Sequence, residues 1–273
     1  MSLSVNTNVA AFIALQGLNK TTNELNVTQN RINTGLRISG AKDNAAYFAI
    51  AQNLRADLSG LSAAADSINR ARSTVDVALN ALEAVQGLVV ELKQKAVAAS
   101  DTGLDQTSRD ALIQEYNALS TQMSDLIASA AFNGTNLIAA SPQSVSAIID
   151  DSGTRTISVT GTSADGQITF ARNIAAGSGA ATLQAQLANI DSSLTALTTL
   201  GSTFGSKARQ FELQLTFNEK LSDSIEGGLG NLVDADLARE HARLQALQIK
   251  QQLGLQALSI ANQAPQSILA LFR

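Results

Sequence analysis

A heptad pattern inside a long proline-free stretch constrains the fold more than any other feature of this sequence. Both prolines lie late, at Pro142 and Pro265, so no helix-breaking ring interrupts the first half of the chain. Apolar residues recur there at alternating steps of three and four, at Val75, Ala78, Leu82, Val85, Val89, Leu92, Ala96 and Ala99. This spacing predicts a helix that packs along a second helix.

The predicted helix also sets the dimensions of the protein. Extended back to about Asn44, it would contain roughly 55 residues and measure about 80 Å. A compact globule of 273 residues would be only about 50 Å across. We therefore expect an elongated, rod-like protein built mainly from α-helices.

Two more helices are predicted to pack against the first. The segment SDTGLDQTSR (100–109) ends the first helix, and Thr107 with Asp110 resembles a capping arrangement for the next. That helix carries an apolar face and stops at FNGTN (132–136); the face comprises Leu112, Tyr116, Leu119, Met123 and Leu126. Together the two helices predict an antiparallel hairpin.

The third long helix is predicted to start near Ala181 and to close the bundle. It repeats the spacing of three and four at Leu183, Leu187, Ile190, Leu194, Leu197, Phe204, Ala208, Phe211, Leu215 and Ile225. EGGLGN (226–231) then predicts a flexible break, because glycine is a poor helix former. One more helical segment completes the chain.

Residues 141–180 have a different character. SVSAIIDD, TRTISVTG and GQITFARN are short, rich in β-branched residues and separated by turn signals, which predicts a small element of two or three strands. GSGAAT (177–182) is faintly similar to a phosphate-binding turn. It lacks the full glycine spacing, which favours a linker that opens a helix.

Both chain ends carry sparse apolar rows. Near the start, one row contains Ala11, Leu18, Leu25 and Ile32, and its companion contains Asn8, Leu15, Thr22, Gln29 and Leu36. Near the end, the rows are Leu237, Leu244, Gln251, Leu258 and Pro265, and Glu240, Leu247, Gly254, Ala261 and Ile268. Such faces are too thin to hold a helix alone. We expect the ends to be frayed in a monomer and ordered by self-association; the alternative is that they fold back onto the central bundle.

The sequence favours a non-enzymatic protein without cofactors. A net charge of −4 and a pI near 5.0 give no electrostatic footprint for nucleic acid or acidic membranes. The chain has no cysteine and no window apolar enough to insert into a membrane, and its start lacks the pattern of a cleaved signal peptide. Asp236 and Glu240 could share a helix face near His241 as metal ligands. A solvated acidic face with Arg239 and Arg243 as neighbours is the favoured interpretation.

Several segments, in order along the chain, closely resemble bacterial flagellin. The amino-terminal ones are NTNVAAFIALQGLNKT, RINTGLRISGAKDNAAYFAIAQNLRADLSGL, VDVALNALEAVQGL and RDALIQEYNALSTQMSDLIASAAFNGTNLI. The carboxy-terminal ones are FGSKARQFE, VDADLARE and LSIANQAPQSILALFR. The resemblance implies a long antiparallel helical bundle with a small β-hairpin, in which paired amino- and carboxy-terminal helices form an inner domain.

Site residues follow from this resemblance. The inner tube would be formed by Val9, Phe12, Leu15, Leu18, Leu25, Ile32, Leu244, Leu247, Leu255, Leu258, Ile268 and Leu271. A connecting segment, called the spoke, would contain Arg31, Gly35, Arg37, Gly40, Lys42, Asp43 and Asn44. Its glycines let the chain change direction, Asp43 and Asn44 are candidate caps, and its cations could reach acidic groups on neighbouring subunits.

The resemblance also implies a function and a division of the chain. The expected role is a subunit that polymerises with itself into the flagellar filament used for swimming; the alternative is a hook–filament junction protein. Export by the flagellar apparatus with its chaperone, contact with a filament cap and hook-associated proteins, and an extracellular location would follow. The expected domains are an N-terminal helix (1–40), a helical hairpin (41–140), a β element (141–180), a third rod helix (181–230) and a C-terminal helix (231–273).

The short middle segment adds a weaker prediction. Larger flagellins insert outer domains where this chain has only residues 141–180, so it resembles a minimal flagellin. Hydroxyl side chains in TRTISVTGTS could accept O-linked sugars, namely Thr154, Thr156, Ser158, Thr160, Thr162 and Ser163.

Overall fold

The computed structural model describes residues 7–270, with side chains for residues 7–263. It contains five α-helices and one β-hairpin within this range. The helices are α1 (Val9–Thr34), α2 (Ala45–Ala99), α3 (Gln106–Ser129), α4 (Ala180–Val233) and α5 (Leu237–Ala270). The strands are β1 (Val145–Ile148) and β2 (Thr156–Val159). The predicted mainly α fold with a small hairpin is confirmed, and none of the described helices is apolar enough over its length to cross a membrane.

The chain divides into two compact units. The terminal unit comprises residues up to 56 and from 224 onward, and the central unit comprises residues 57–223. Helices α1 and α5 belong to the terminal unit. The hairpin and α3 belong to the central unit, whereas α2 and α4 contribute residues to both.

The core of the central unit follows the heptad seam of α2. Every predicted seam position from Val75 to Ala99 is fully buried. It packs with apolar side chains of α3 and α4, among them Ile113, Met123, Leu183, Ile190, Leu197, Phe204 and Phe211. The buried face of α2 could be predicted from the sequence because it is apolar without interruption over 25 residues.

The predicted face of α3 is confirmed at Tyr116 and Met123, whereas its other three positions are displaced by one residue. Leu112, Leu119 and Leu126 are only partly buried, and the core positions are Ile113, Tyr116, Ser120, Met123 and Ile127. Tyr116 combines edge packing on Phe170, at a centroid distance of 6.3 Å, with a hydrogen bond from its hydroxyl to Ala171 O. Desolvation raises the pKa of this hydroxyl.

Side-chain oxygens define the start of α3 and the loop that follows it. The N-cap is Asp105, which accepts from Ser108 N at 3.1 Å, and not Thr107 as predicted. Asn136 is the last residue of FNGTN. Its Nδ2 atom donates to Ile127 O at 2.8 Å, and its Oδ1 atom accepts from Ile138 N. The stop at FNGTN is therefore confirmed, and the amide of Asn136 satisfies carbonyls that the helix end leaves free.

The β element has two strands, paired in antiparallel register with Val145 opposite Val159 and Ile148 opposite Thr156. The prediction of a third strand at GQITFARN (166–173) is wrong. Its first two residues belong to a 3₁₀ turn, Asp165–Gln167. Beyond the turn, backbone N–H groups donate to α4 side chains, from Thr169 to Ser193 Oγ and from Ala171 to Gln186 Oε1. Helix contacts thus replace a strand partner.

The predicted break at EGGLGN is also wrong, since α4 continues through it to Val233. Each glycine costs a helix about 1 kcal/mol relative to alanine. Tertiary packing offsets this cost, because Leu229, Leu232 and Val233 lie in an apolar cluster with Ile38 and Ala51. The linker prediction for GSGAAT is confirmed: Gly177 has a φ of +86° and α4 begins three residues later.

Candidate assembly surface on the terminal helices

Helices α1 and α5 pack antiparallel along most of their described length. Three contacts fix the register: Asn8 Nδ2 donates to Ala261 O at 2.7 Å, Leu18 faces Gly254, and Arg31 pairs with Glu240 at 3.1 Å. Positions early in α1 therefore meet positions late in α5. A Cβ at position 254 would lie 3.3 Å from Leu18 Cδ1, so the glycine allows the helices to approach closely here.

The α5 side of this pairing matches the sequence prediction. Partly or fully buried positions are Glu240, Leu244, Leu247, Gln251, Gly254, Leu258 and Ala261, as both predicted rows require. Only Leu237 is exposed among the described members. Pro265 and Ile268 lie outside the residues whose side chains are described.

The α1 side matches fully in one row and partly in the other, of which Asn8, Thr22 and Leu36 are partly buried. Ala11, Leu18, Leu25 and Ile32 face the pairing as predicted, whereas Leu15 and Gln29 are exposed. Their places are taken by Ala14, Thr21 and Thr28, the last of which is 1% exposed. Hydrophobicity alone favours Leu15 over Ala14, but small side chains let two helices approach along a thin contact.

The pairing leaves large apolar side chains facing away from it. On α1, Phe12 and Ile13 are 63% and 65% exposed, and Val9 and Val27 are also exposed. On α5, Ile249 and Ile260 are 58% and 69% exposed, with Leu253 between them. Helical spacing places these residues opposite the α1–α5 contact. Each helix therefore carries a second apolar stripe that its partner does not cover; on α1 the polar residues Gln16, Lys20 and Asn23 interrupt this stripe between Ile13 and Val27.

The predicted inner-tube residues fall into two groups. Leu18, Leu25, Ile32, Leu244, Leu247 and Leu258 lie in the α1–α5 contact, while Val9, Phe12, Leu15 and Leu255 are exposed. Sequence reasoning missed Ile13, Ile249, Leu253 and Ile260, although their apolar character and spacing could have revealed a second stripe. Leu271 lies outside the described residues, as does the side chain of Ile268.

The predicted spoke begins with Arg31 in the last turn of α1. Gly35 adopts a left-handed φ of +71° as the C-cap, a conformation that glycine favours. The following strand-like turn pairs with the end of α4, because Arg37 N donates to Val233 O at 2.7 Å and Ala235 N donates to Gly35 O. Gly40 is not in the left-handed region.

Two caps then start α2. Asn44 Oδ1 accepts from Ala46 N and Tyr47 N at 3.1 Å, as expected of an N-cap. Asp43 accepts from Ser39 N, Ser39 Oγ and Gly40 N. These bonds, led by that from the Ser39 backbone, lower the pKa of the Asp43 carboxyl. The spoke cation Lys42 is exposed.

The carboxylates considered as metal ligands have other partners. Asp236 accepts from Arg239 N as the cap of α5, and Glu240 Oε1 accepts from Arg31. The favoured interpretation anticipated arginine neighbours, but Glu240 is buried rather than solvated.

The candidate glycosylation residues lie on and after β2. Thr156, Ser158 and Thr160 are exposed and alternate with buried Ile157 and Val159, so β2 presents its hydroxyl groups on one face. Thr154 is also exposed, and its hydroxyl donates to Asp150. Thr162 and Ser163 are partly buried.

Comparison with known proteins decides the family. The bacterial flagellin N-terminal helical region matches residues 5–143, and the bacterial flagellin C-terminal helical region matches residues 187–272. The chain belongs to the bacterial flagellin family. It is a structural subunit of the flagellar filament, and similar flagellins span nearly its whole length. Flagellin FljK of Caulobacter vibrioides is 42% identical over 99% of this chain and 98% of its own.

A second flagellin and two solved structures are also similar to this chain. A flagellin of Brucella melitensis is 37% identical over 99% of both chains. The crystal structure of Bacillus cereus flagellin covers 55% of this chain and 86% of its own, with a TM-score of 0.50 and 17% identity. A flagellar hook-associated protein from Vibrio parahaemolyticus covers 70% of this chain and 100% of its own, with a TM-score of 0.60 and 11% identity. At these identities the two structures show a shared fold alone.

Proposed function

We propose that α1 and α5 together form the assembly element of this flagellin, and that copies join through the apolar stripes facing away from the α1–α5 contact. The observation that carries this proposal is the exposure of Phe12, Ile13, Ile249 and Ile260. Burying one large apolar side chain contributes about 1.5–3 kcal/mol, so several stripes repeated along a polymer supply a large driving force. A stable monomer has no need of such a surface.

The domain roles that the resemblance to flagellins implies are part of the same proposal. Residues 1–40 and 231–273 would form the inner assembly domain, with the predicted inner-tube residues contributing both to the α1–α5 contact and to contacts between copies. Residues 41–140 and 181–230 would form the surrounding rod domain. The spoke residues Arg31–Asn44 would connect the two, and the hydroxyl face of β2 would lie outermost, where sugars could be attached.

Substitution of the exposed stripe tests the assembly role. Phe12→Gln with Ile13→Gln keeps good helix formers on α1 while removing apolar surface that contacts between copies would bury. The loss of about 3 kcal/mol or more should raise the critical concentration for seeded polymerisation at least about a hundredfold. Pelleting of polymer over a concentration series measures this quantity.

A matched control separates assembly from folding. Asn19→Gln changes an exposed polar residue of the same helix and should leave the critical concentration unchanged. Circular dichroism should show the same helix content in both variants. Normal polymerisation of the Phe12/Ile13 variant would remove the exposed stripe as the assembly surface.

Location and partners belong to the same proposal. We expect export through the flagellar apparatus with a chaperone, and growth of the filament beneath a cap and beyond hook-associated proteins. Family membership supports this expectation. Immunogold labelling of an epitope-tagged chain in its own cells should decorate extracellular filaments; label confined to the cell body would contradict it.

A further inference from the structure

The start of α5 forms a pocket lined by four arginines. It has a volume of about 340 Å³, and its lining includes Arg31, Arg37, Arg239 and Arg243 together with the carboxylates Asp234, Asp236 and Glu240. Arg31 is bound to Glu240, and Arg37 donates to Leu232 O at 2.7 Å. Arg239 and Arg243, four residues apart on α5, make no side-chain hydrogen bond or ion pair with the residues that the structure describes. Two guanidinium groups therefore remain available on one wall.

The floor of the pocket also has unused hydrogen-bonding capacity. Glu240 is 9% exposed, and its Oε2 atom is buried without a partner among the described residues. The Nε atom of Arg31 is also buried without a partner among the described residues. Leaving a buried polar group unpaired costs about 1–3 kcal/mol.

A hollow of opposite charge adjoins the pocket. Its volume is about 470 Å³, and its lining includes Glu226, Asp234 and Asp236 with no lysine or arginine. Gly227 and Gly230 leave it open, and a Cβ at position 230 would lie 2.8 Å from Asp234 Oδ2. The pocket and the hollow share a wall made of Asn231 and residues 234–236. Asp234 and Asp236 therefore line both cavities, and Glu226 is the carboxylate that lines the hollow alone.

We propose that the arginine pocket of one copy binds the acidic hollow of a second copy, with Arg239 and Arg243 meeting Glu226 and Asp234. The inference rests on the proposed function, since it assigns a contact within the polymer. A contact between two different patches is heterologous and can continue from copy to copy, as a filament requires. Exposed ion pairs add little affinity, so this contact sets register and specificity, and apolar burial supplies the driving force.

Charge reversal tests the proposal. Variant one carries Arg239→Glu and Arg243→Glu, and variant two carries Glu226→Lys and Asp234→Lys. In each variant the contact would join like charges, so the critical concentration for seeded polymerisation should rise at least tenfold. In an equimolar mixture, each reversed patch meets its opposite on the other variant. The mixture should therefore polymerise near the wild-type critical concentration, with both variants in the pellet in equal amounts.

Controls make each outcome informative. Arg70→Glu with Lys220→Glu changes the net charge as variant one does, at exposed cations of the central unit, and should polymerise normally. Circular dichroism should show native helix content in all variants. The proposal is overturned if variants one and two polymerise like wild type, if their mixture fails, or if the central-unit control fails equally. Failure of wild-type protein to polymerise would contradict the proposed function instead.

Discussion

Gly60 shows how a single residue places the β-hairpin. A Cβ at this position of α2 would lie 2.6 Å from Asp151 O and 2.9 Å from its Cα. Nearby, Ile148 N donates to Ser67 Oγ at 3.0 Å, and Asn218 Nδ2 donates to Ile149 O at 3.2 Å. The absence of a side chain on Gly60 therefore lets the turn of the hairpin rest on the helix backbone.

Gly60→Ala should destabilise the protein, because backbone atoms cannot move aside as a flexible side chain would. We expect a loss of about 1–3 kcal/mol in the free energy of unfolding, measured by denaturant titration. Gly87→Ala is the matched control, since Gly87 lies in the same helix with nothing within 4 Å of its Cβ position. It should gain up to about 1 kcal/mol from helix propensity. Equal stability of the two variants would refute this account of the hairpin.

Asp150 gives the hairpin turn a dependence on pH. Its carboxylate accepts from Ser152 Oγ at 2.6 Å, from Thr154 Oγ1 at 2.8 Å and from Arg155 N at 3.1 Å. These bonds, led by that from Ser152, lower its pKa to about 2. A depressed pKa means that the charged form stabilises the turn fully above the ordinary value of 3.8. The contribution is lost as pH falls toward 2.

The Arg155 amide should report this titration. Its NMR chemical shift should change with a midpoint near pH 2, and Asp150→Asn should abolish the change. A midpoint near 4 would show that the hydrogen bonds do not persist in solution.

At the scale of helices, the sequence predicts a face well when packing requires large side chains. The seam of α2 has to fill a core, so Val, Leu and Ala repeat without ambiguity from Val75 to Ala99. The α1–α5 contact is thin, and its α1 side uses Ala14, Thr21 and Thr28 instead of the more hydrophobic Leu15. Hydrophobic periodicity cannot separate the helix contact from the outward stripe when both carry apolar residues.

Contacts with residues distant in the sequence explain why the predictions for EGGLGN and GQITFARN were wrong. EGGLGN has a weak helix propensity, but residues just beyond it, Leu232 and Val233, gain packing from Ile38 and Ala51, far away in sequence. Likewise, GQITFARN alternates like a strand, but its backbone groups find Ser193 and Gln186 on α4. Local sequence contains no information on these partners.

Deletion of residues 231–273 tests the role of α5 as an element. The deletion removes one half of the α1–α5 pair but none of the central unit, whose core lies within residues 57–223. The truncated chain should stay soluble and strongly helical by circular dichroism, yet it should not polymerise on filament seeds at any accessible concentration. Filament growth from the truncated chain at the wild-type rate would overturn the assembly role of α5.

At the scale of the whole molecule, the resemblance to flagellins and the hydrophobic periodicity of the sequence independently predict the same fold. Periodicity predicted the three long bundle helices and the hairpin. It could not predict how the ends pair, because Asn8, Arg31 and Glu240 meet partners more than 200 residues away. The candidate assembly surface was therefore identified only in part, through Val9, Phe12 and Leu15 on α1 and Leu255 on α5.

The central claim is that copies of this flagellin polymerise through the outward stripes of α1 and α5. Electron cryomicroscopy of filaments grown from the purified protein tests it most directly, because it locates every helix within the assembly. We predict long helical tubes in which Phe12, Ile13, Ile249 and Ile260 are buried between neighbouring copies. Filaments in which these four side chains stay exposed to solvent, with all contacts made by the central unit, would contradict it.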